Sequence, residues 1–146
     1  LEQAIALSPP EIRWLVRLHP KMREGSEQSI AGRLQALGRD NFEIARSSFL
    51  PLSGLLKRVD FVITLWSSVA YEALLFGAHP VIVHENGLKS FKSYIDRALF
   101  SYAASSEEIL DLLEHGKPAK IGEDVPYIET REEVIFEKLR WSISQS

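Results

Sequence analysis

Two uninterrupted apolar runs, FVITLW at 61–66 and PVIVH at 80–84, most constrain what this chain can fold into. Strands that are continuously apolar, rather than alternately apolar and polar, are typical of parallel sheets covered on both faces. The stretch between the runs, 67–77, has a helical pattern closed by a glycine. A strand, a helix and a second strand in this order predict a βαβ unit with a right-handed crossover.

The same alternation extends along the rest of the chain. Further strands are expected at 12–20 and 42–47, and an edge strand within 98–104. Helices are expected at the opening LEQAIALS and at 26–38, 51–59, 91–97, 105–116 and 128–144, with a loop at 85–90. This order predicts a Rossmann-like open parallel sheet of about five strands with helices on both faces. A length of 146 residues fits one such domain, 1–146.

Composition excludes several classes of function. The chain has no cysteine, which excludes disulfides and thiol catalysis and leaves only four histidines and carboxylates for a metal site. There is no Asp-x-Asp metal motif, so we expect no metal and no cofactor beyond a substrate. The net charge of -3, from 17 basic and 20 acidic side chains, predicts no nucleic-acid partner.

The chain ends carry their own indications. No apolar run approaches the ~20 residues that a membrane-spanning helix needs. The N-terminus lacks the basic and apolar segments of a signal peptide. Because the sequence opens at Leu1, inside an expected helix and without Met, we interpret it as a piece of a longer protein.

Polar residues follow each of the first four predicted strands. In open α/β sheets, ligands bind at the carboxyl ends of the strands, so these positions are the first site candidates. They are His19-Pro20-Lys21, Arg46-Ser47-Ser48, Ser67-Ser68 and His84-Glu85-Asn86-Gly87.

The paired serines begin the helix between the two apolar runs. The first turn of a helix has unpaired amide groups and a partial positive charge, so hydroxyls beside it suit an anion such as phosphate. Glu72 follows Ser68 by four residues and therefore lies one turn further along the same face. A carboxylate there could accept hydrogen bonds from sugar hydroxyls. His19, close to Lys21 and Arg23, also suits a phosphate.

Each of these residues also has a purely structural interpretation. Ser67 or Ser68 could be a plain helix cap, and Glu72 could pair with Lys57 or Arg58. His19 could be a structural histidine before a turn proline. His84 is more often an ordinary strand-end residue and Asn86-Gly87 more often a turn. His79 and His115 are expected at the surface.

Residues 12–114 resemble the C-terminal half of GT-B glycosyltransferases. The resemblance rests on VRLHPK and on VDFVITLWSSVAYEALLFGAHPVIV. It is strongest to bacterial surface-polysaccharide enzymes with HP and SS motifs, namely capsule transferases of Kdo and sialic acid and polyglycerol-phosphate polymerases. The matching pieces are His19-Pro20, Ser67-Ser68 and the run from Glu72 to Ile82.

The resemblance implies a donor-binding domain that acts in surface or capsular polysaccharide biosynthesis. His19, Lys21, Ser67 and Ser68 would bind the phosphates of a CMP-, CDP- or UDP-linked sugar, Glu72 its sugar or ribose, and Asn86 the same donor more loosely. No catalytic residue is assigned here, because such enzymes usually carry the acceptor site and the base on an N-terminal domain. This chain would then hold a donor without completing the transfer.

The same resemblance implies a cytoplasmic protein, with the full-length enzyme on the cytoplasmic face of the inner membrane. The glycan acceptor would be bound through the missing domain. Two alternatives stay open from sequence: a domain of a UDP-sugar 2-epimerase relative, and a non-catalytic binding module of the same fold.

Overall fold

A computed structural model describes residues 1–18 and 25–116. The elements are α1 (Glu2–Leu7), β1 (Trp14–Leu15), α2 (Ser26–Gln35), β2 (Phe42–Glu43), α3 (Ala45–Phe49), α4 (Leu52–Leu56), β3 (Phe61–Thr64), α5 (Val69–Leu75), β4 (His79–Ile82), α6 (Glu85–Ser90), α7 (Lys92–Asp96), β5 (Ser101–Tyr102) and α8 (Ser106–His115). The predicted α/β class is confirmed.

All the strand pairs in the described part of the chain are parallel. β1 pairs with β2, and β4 pairs with both β3 and β5, which leaves β5 at an edge as predicted. The five strands therefore lie in a two-stranded and a three-stranded sheet, where the sequence pattern predicted one sheet. The carboxyl ends of β3 and β4 are fixed side by side by the pairing of Thr64 with Ile82.

Helices cover both faces of β4. Val81 packs into one cluster with Ile5 of α1 and Ile109 of α8. Ile82, the next residue, points to the opposite face and packs with Leu74 of α5. Both strand residues are fully buried. This arrangement explains why the strand is apolar at successive positions instead of alternate ones.

The helix between β3 and β4 ends as the sequence predicts. Gly77 has a left-handed φ of 80°, and its N–H donates to the Leu74 carbonyl while the Ala78 N–H donates to the Ala73 carbonyl. This pair of bonds is a Schellman motif, in which glycine avoids the strain that a side chain would bring. The motif turns the chain directly into β4.

Three sequence predictions are wrong in detail. Residues 45–47, expected in a strand, belong to α3, where the Glu43 carboxylate accepts from the Ser47 N–H and caps the first turn. The segment 85–90, expected as a loop, is α6, since His84 caps its first turn. Of the predicted strand 12–20, the described residues 12–18 form β1 at Trp14–Leu15 only. The predicted helix at 128–144 lies outside the described residues.

His79, expected at the surface, is instead buried at the start of β4. Its Nε2 lies 2.8 Å from the Ser101 hydroxyl, and its ring packs edge-on against Phe61. Desolvation by burial lowers the pKa of His79 below 6.5. A histidine that directly follows a helix and precedes an apolar run enters the sheet itself. The contact with Ser101 satisfies Nε2, whereas Nδ1 is buried without a hydrogen-bond partner among the described residues, which adds to the cost of burying the ring.

Candidate ligand-binding edge

The loops that follow β3 and β4 are in direct contact. Gly87, in the first turn of α6, is buried against the Leu65 carbonyl. A Cβ built on Gly87 would overlap that oxygen and lie 2.5 Å from Ile82 Cγ2. Only glycine allows the α6 backbone to approach so closely. This contact brings Ser67 and Ser68, which follow Leu65, to the same edge as Asn86.

Both serines of the predicted phosphate motif are exposed at this edge. The Ser67 hydroxyl accepts from the Val69 N–H at 3.3 Å, and the Ser67 N–H donates to Thr64 Oγ1. Ser67 is therefore partly a structural cap, as the alternative interpretation held. Ser68, the residue before α5, makes no side-chain cap bond, so its hydroxyl is the better placed for a ligand.

The sequence predicted unpaired backbone amides in this turn, but three of them already have hydrogen-bond partners. The Val69 N–H is taken by the Ser67 hydroxyl. The Ala70 and Tyr71 N–H groups donate to the carbonyls of Ser67 and Ser68 at 3.2 and 3.0 Å. A ligand at this point would therefore be bound chiefly by side chains, not by a set of open amides.

Glu72 is exposed one turn into α5. Ser68 already has helical backbone angles of -59° and -15°, so the four-residue spacing places the two side chains on one face. Among the described residues, Glu72 forms no ion pair with Lys57 or Arg58. The carboxylate is therefore accessible to hydroxyl donors beside Ser68.

Asn86 and His84 form the other side of the edge. His84 has an extended backbone, and its Nδ1 accepts from the Asn86 N–H at 3.0 Å. This bond starts α6 and fixes the orientation of the imidazole. The Asn86 side chain is exposed, with a donor and an acceptor available to a ligand.

Sequence reasoning missed Trp66 as a component of this edge. Trp66 directly precedes the serine pair and is 50% exposed. Its ring centroid lies 4.7 Å from that of His84, with the two planes at 67°. The available signal was an aromatic residue at the end of a strand, where a polar residue or a turn would be usual. Gly87 was among the strand-end candidates, but its packing role was not foreseen, because the close contact depends on the carbonyl of the distant Leu65.

The end of β2, another predicted candidate, is closed. Ser47 is fully buried, and its hydroxyl donates towards the Val16 carbonyl at 2.7 Å. Arg17 donates to the Ser47 and Leu50 carbonyls, both at 2.6 Å. The Ser48 hydroxyl donates to the Ile44 carbonyl. These hydrogen bonds are all made within the chain, so few hydrogen-bonding groups of Ser47 and Ser48 remain available to a ligand.

Two predicted binding residues, His19 and Lys21, lie outside the described residues, so their roles remain predictions. Of the other four, Ser67, Ser68 and Asn86 lie on loops that meet through the Gly87–Leu65 contact, and Glu72 lies one turn into α5. Within residues 1–18 and 25–116, no group of three or more His, Asp or Glu side chains is arranged to hold a metal ion. Over the same ranges, no helix is both long enough and apolar enough to cross a membrane.

Chemically, this edge combines hydroxyl, amide, carboxylate and aromatic groups. Hydroxyls and an amide can bond phosphate or sugar oxygens, and a carboxylate can accept from sugar hydroxyls. Comparisons of the chain with protein families, with curated proteins and with solved structures found no match.

Proposed function

We propose that this chain is the donor-binding domain of a glycosyltransferase that builds bacterial surface or capsular polysaccharide. The donor would be a sugar linked to CMP, CDP or UDP. Ser67 and Ser68 would bond the phosphate oxygens, Glu72 the hydroxyls of the sugar or ribose, and Asn86 a further polar group of the donor.

One observation carries the proposal: the contact of Gly87 with the Leu65 carbonyl, which joins the two loops at the carboxyl end of β3 and β4. This is the edge at which parallel α/β sheets bind ligands. The joined loops present exposed polar side chains that the fold itself uses little. The order of the motifs along the chain, and their resemblance to HP and SS families, points to a nucleotide sugar.

In that role the domain would bind the donor and stabilise its leaving phosphate. Charge builds up on the phosphate as the sugar leaves, and fixed hydrogen-bond donors lower the energy of that state. Hydroxyl and amide donors can act there. The acceptor glycan and the catalytic base would come from a further domain, and the whole enzyme would work in the cytoplasm, at the inner face of the membrane.

Isothermal titration of the 146-residue chain with CMP, CDP and UDP tests this function. We expect a cytidine nucleotide to bind, and Ser68→Ala to weaken it about tenfold, as is typical when a hydrogen bond to a charged group is removed. Ser53→Ala is the matched control, because Ser53 is an exposed serine of the short helix α4. It should leave the affinity unchanged.

The other outcomes are equally informative. A clear preference for UDP would favour a relative of UDP-sugar 2-epimerases. Absence of binding for all three nucleotides at millimolar concentration would contradict the proposal and favour a non-catalytic module.

A further inference from the structure

The half-exposed indole of Trp66 calls for an explanation. Tryptophan brings a large apolar surface, and leaving it in water forgoes that stabilisation. The other tryptophan in the described part of the chain, Trp14, is only 8% exposed and bonds the Ser8 hydroxyl through its indole N–H. Trp66, at 50% exposure, makes no such bond with the described residues.

The Trp66 ring is held in place even though it is exposed. On one side it contacts His84, whose imidazole is fixed by the bond from the Asn86 N–H. Its backbone follows Leu65, whose carbonyl packs against Gly87. A ring fixed from both its side chain and its backbone loses little freedom when a second ring stacks on it.

The 67° angle between the rings matters for what can bind. His84 meets the indole at a steep angle and does not stack in parallel with it. Half of the Trp66 surface is exposed to solvent and is therefore available to a ligand. A planar, uncharged ring that stacks on an indole is the chemistry of a nucleobase.

The distance to the hydroxyls fits the same ligand. Ser67 and Ser68 follow Trp66 directly, so their Cα atoms lie within about 8 Å of the Trp66 Cα. A nucleotide carries its base and its phosphates on opposite ends of a ribose of comparable length. One ligand could therefore stack on the ring and reach the hydroxyls at once.

We infer that Trp66 is the platform on which the base of the donor nucleotide stacks, with His84 as the residue that positions it. This inference rests on the proposed function and adds the base-binding position to it. Stacking alone would tolerate any base, so Trp66 would supply affinity, and other contacts would select the base.

The test is titration of the full chain with three probes: CDP, ribose 5-phosphate and pyrophosphate. Trp66→Ala should weaken the binding of CDP about tenfold or more, because one stacked base is lost. The affinities for ribose 5-phosphate and pyrophosphate should stay within about twofold of those of the unaltered chain. Trp66→Phe keeps a ring and should restore most of the affinity. Phe49→Ala is the matched control, because Phe49 is an exposed aromatic residue of α3, outside the proposed edge.

Fluorescence gives a second measurement that a purely structural role would not change. CDP should quench the indole emission of the unaltered chain, and the quenching should disappear in Trp66→Phe. Thermal unfolding of each variant reports whether the fold survives.

Failure of this inference differs from failure of the proposed function. If Ser68→Ala weakens CDP and Trp66→Ala does not, the stacking is wrong and the donor-binding role stands. If Trp66→Ala weakens the binding of ribose 5-phosphate as much as that of CDP, the ring contacts the ribose and the inference is again overturned. If Trp66→Ala weakens pyrophosphate as much as CDP, the effect is structural. If the unaltered chain binds no nucleotide, both proposals fall.

Discussion

Two serine pairs follow strands in this chain, and the fold uses them in opposite ways. Ser47 and Ser48, after β2, direct their hydroxyls to the carbonyls of Val16 and Ile44. Ser67 and Ser68, after β3, are exposed beside Trp66 and Asn86. The same dipeptide therefore closes one sheet end and leaves the other open.

The difference comes from what packs against each pair. Arg17 reaches over the end of β2 and bonds two carbonyls of the following turn, which draws Ser47 inside. At the end of β3, the neighbouring chain is α6, and its close approach is made by Gly87, which has no side chain to cover the serines. A polar strand end is thus a site candidate only where nothing nearby consumes its hydrogen bonds.

Among the changes that test this difference between the two strand ends, replacement of Gly87 should have the largest effect. Gly87→Ala forces a methyl group into the Leu65 carbonyl and Ile82, and overpacking of this kind costs about 3 kcal/mol. We expect that loss in the free energy of unfolding, measured with urea, together with loss of nucleotide binding. Gly54→Ala is the control: a methyl group added there, in α4, would meet nothing within 4 Å, so alanine should stabilise by up to about 1 kcal/mol. Equal effects of the two changes would contradict the close contact between Gly87 and the Leu65 carbonyl.

The two serine pairs should also differ in stability. Ser47→Ala removes a buried hydroxyl from the Val16 carbonyl and should lower the free energy of unfolding by about 1 kcal/mol. Ser68→Ala removes an exposed hydroxyl with no cap bond and should change it by less than about 0.5 kcal/mol. Urea unfolding of both variants measures this. If Ser68→Ala lowered the free energy of unfolding as much as Ser47→Ala, the Ser68 hydroxyl would have to stabilise the fold as well.

A histidine lies at each end of β4, and these two residues differ in the same way as the two serine pairs. His79 is buried with a lowered pKa, whereas His84 lies at the ligand edge. Between the folded-state pKa of His79 and 6.5, the unfolded chain binds a proton that the folded chain does not. The titration of His79 therefore leaves the free energy of unfolding unchanged above pH 6.5 and lowers it as the pH falls below that value.

His79→Gln removes this titration and retains an amide that can bond the Ser101 hydroxyl. Urea unfolding between about pH 7.5 and pH 5 should show a smaller loss of stability in the variant than in the unaltered chain. Parallel pH profiles would show that His79 does not contribute to acid sensitivity.

The smallest effect concerns Ser67. Its hydroxyl accepts from the Val69 N–H at the exposed start of α5, and loss of such a cap costs about 0.5 kcal/mol. Ser67→Ala should show this loss in urea unfolding, with Ser93→Ala, an exposed serine of α7, as the control. Identical midpoints for the two variants would remove the capping role and leave Ser67 wholly available to a ligand.

The βα order, the strand positions and the helix ends at Gly77 and Ser105 could be predicted from the sequence. Those features depend on local pattern: apolar runs, a glycine at a positive φ, and a serine whose hydroxyl accepts from the Glu108 N–H. Ser67, Ser68 and Asn86 were placed at one edge by the rule for strand ends, and Glu72 was placed on the same helix face as Ser68 by its four-residue spacing.

The features that escaped prediction depend on contacts between distant residues. Closure of the Ser47 end requires Arg17 from another part of the chain. The α6 helix is the exception, because its cap is local: the imidazole of His84 accepts from the Asn86 N–H, and histidine is not a usual cap residue. Burial of His79 requires a hydroxyl on β5. Local sequence alone does not identify these partners, because most of them are set by which strands lie side by side.

The central claim is that a nucleotide binds at the joined loops after β3 and β4 and not at the closed end of β2. Two-dimensional amide NMR of the isotope-labelled chain during titration with CDP tests it most directly. We predict that amide shifts change at 65–72 and 84–87, while those at 47–50 and at His79 stay constant. Unchanged shifts at 65–72 and 84–87, or changes centred on 47–50, would contradict the account.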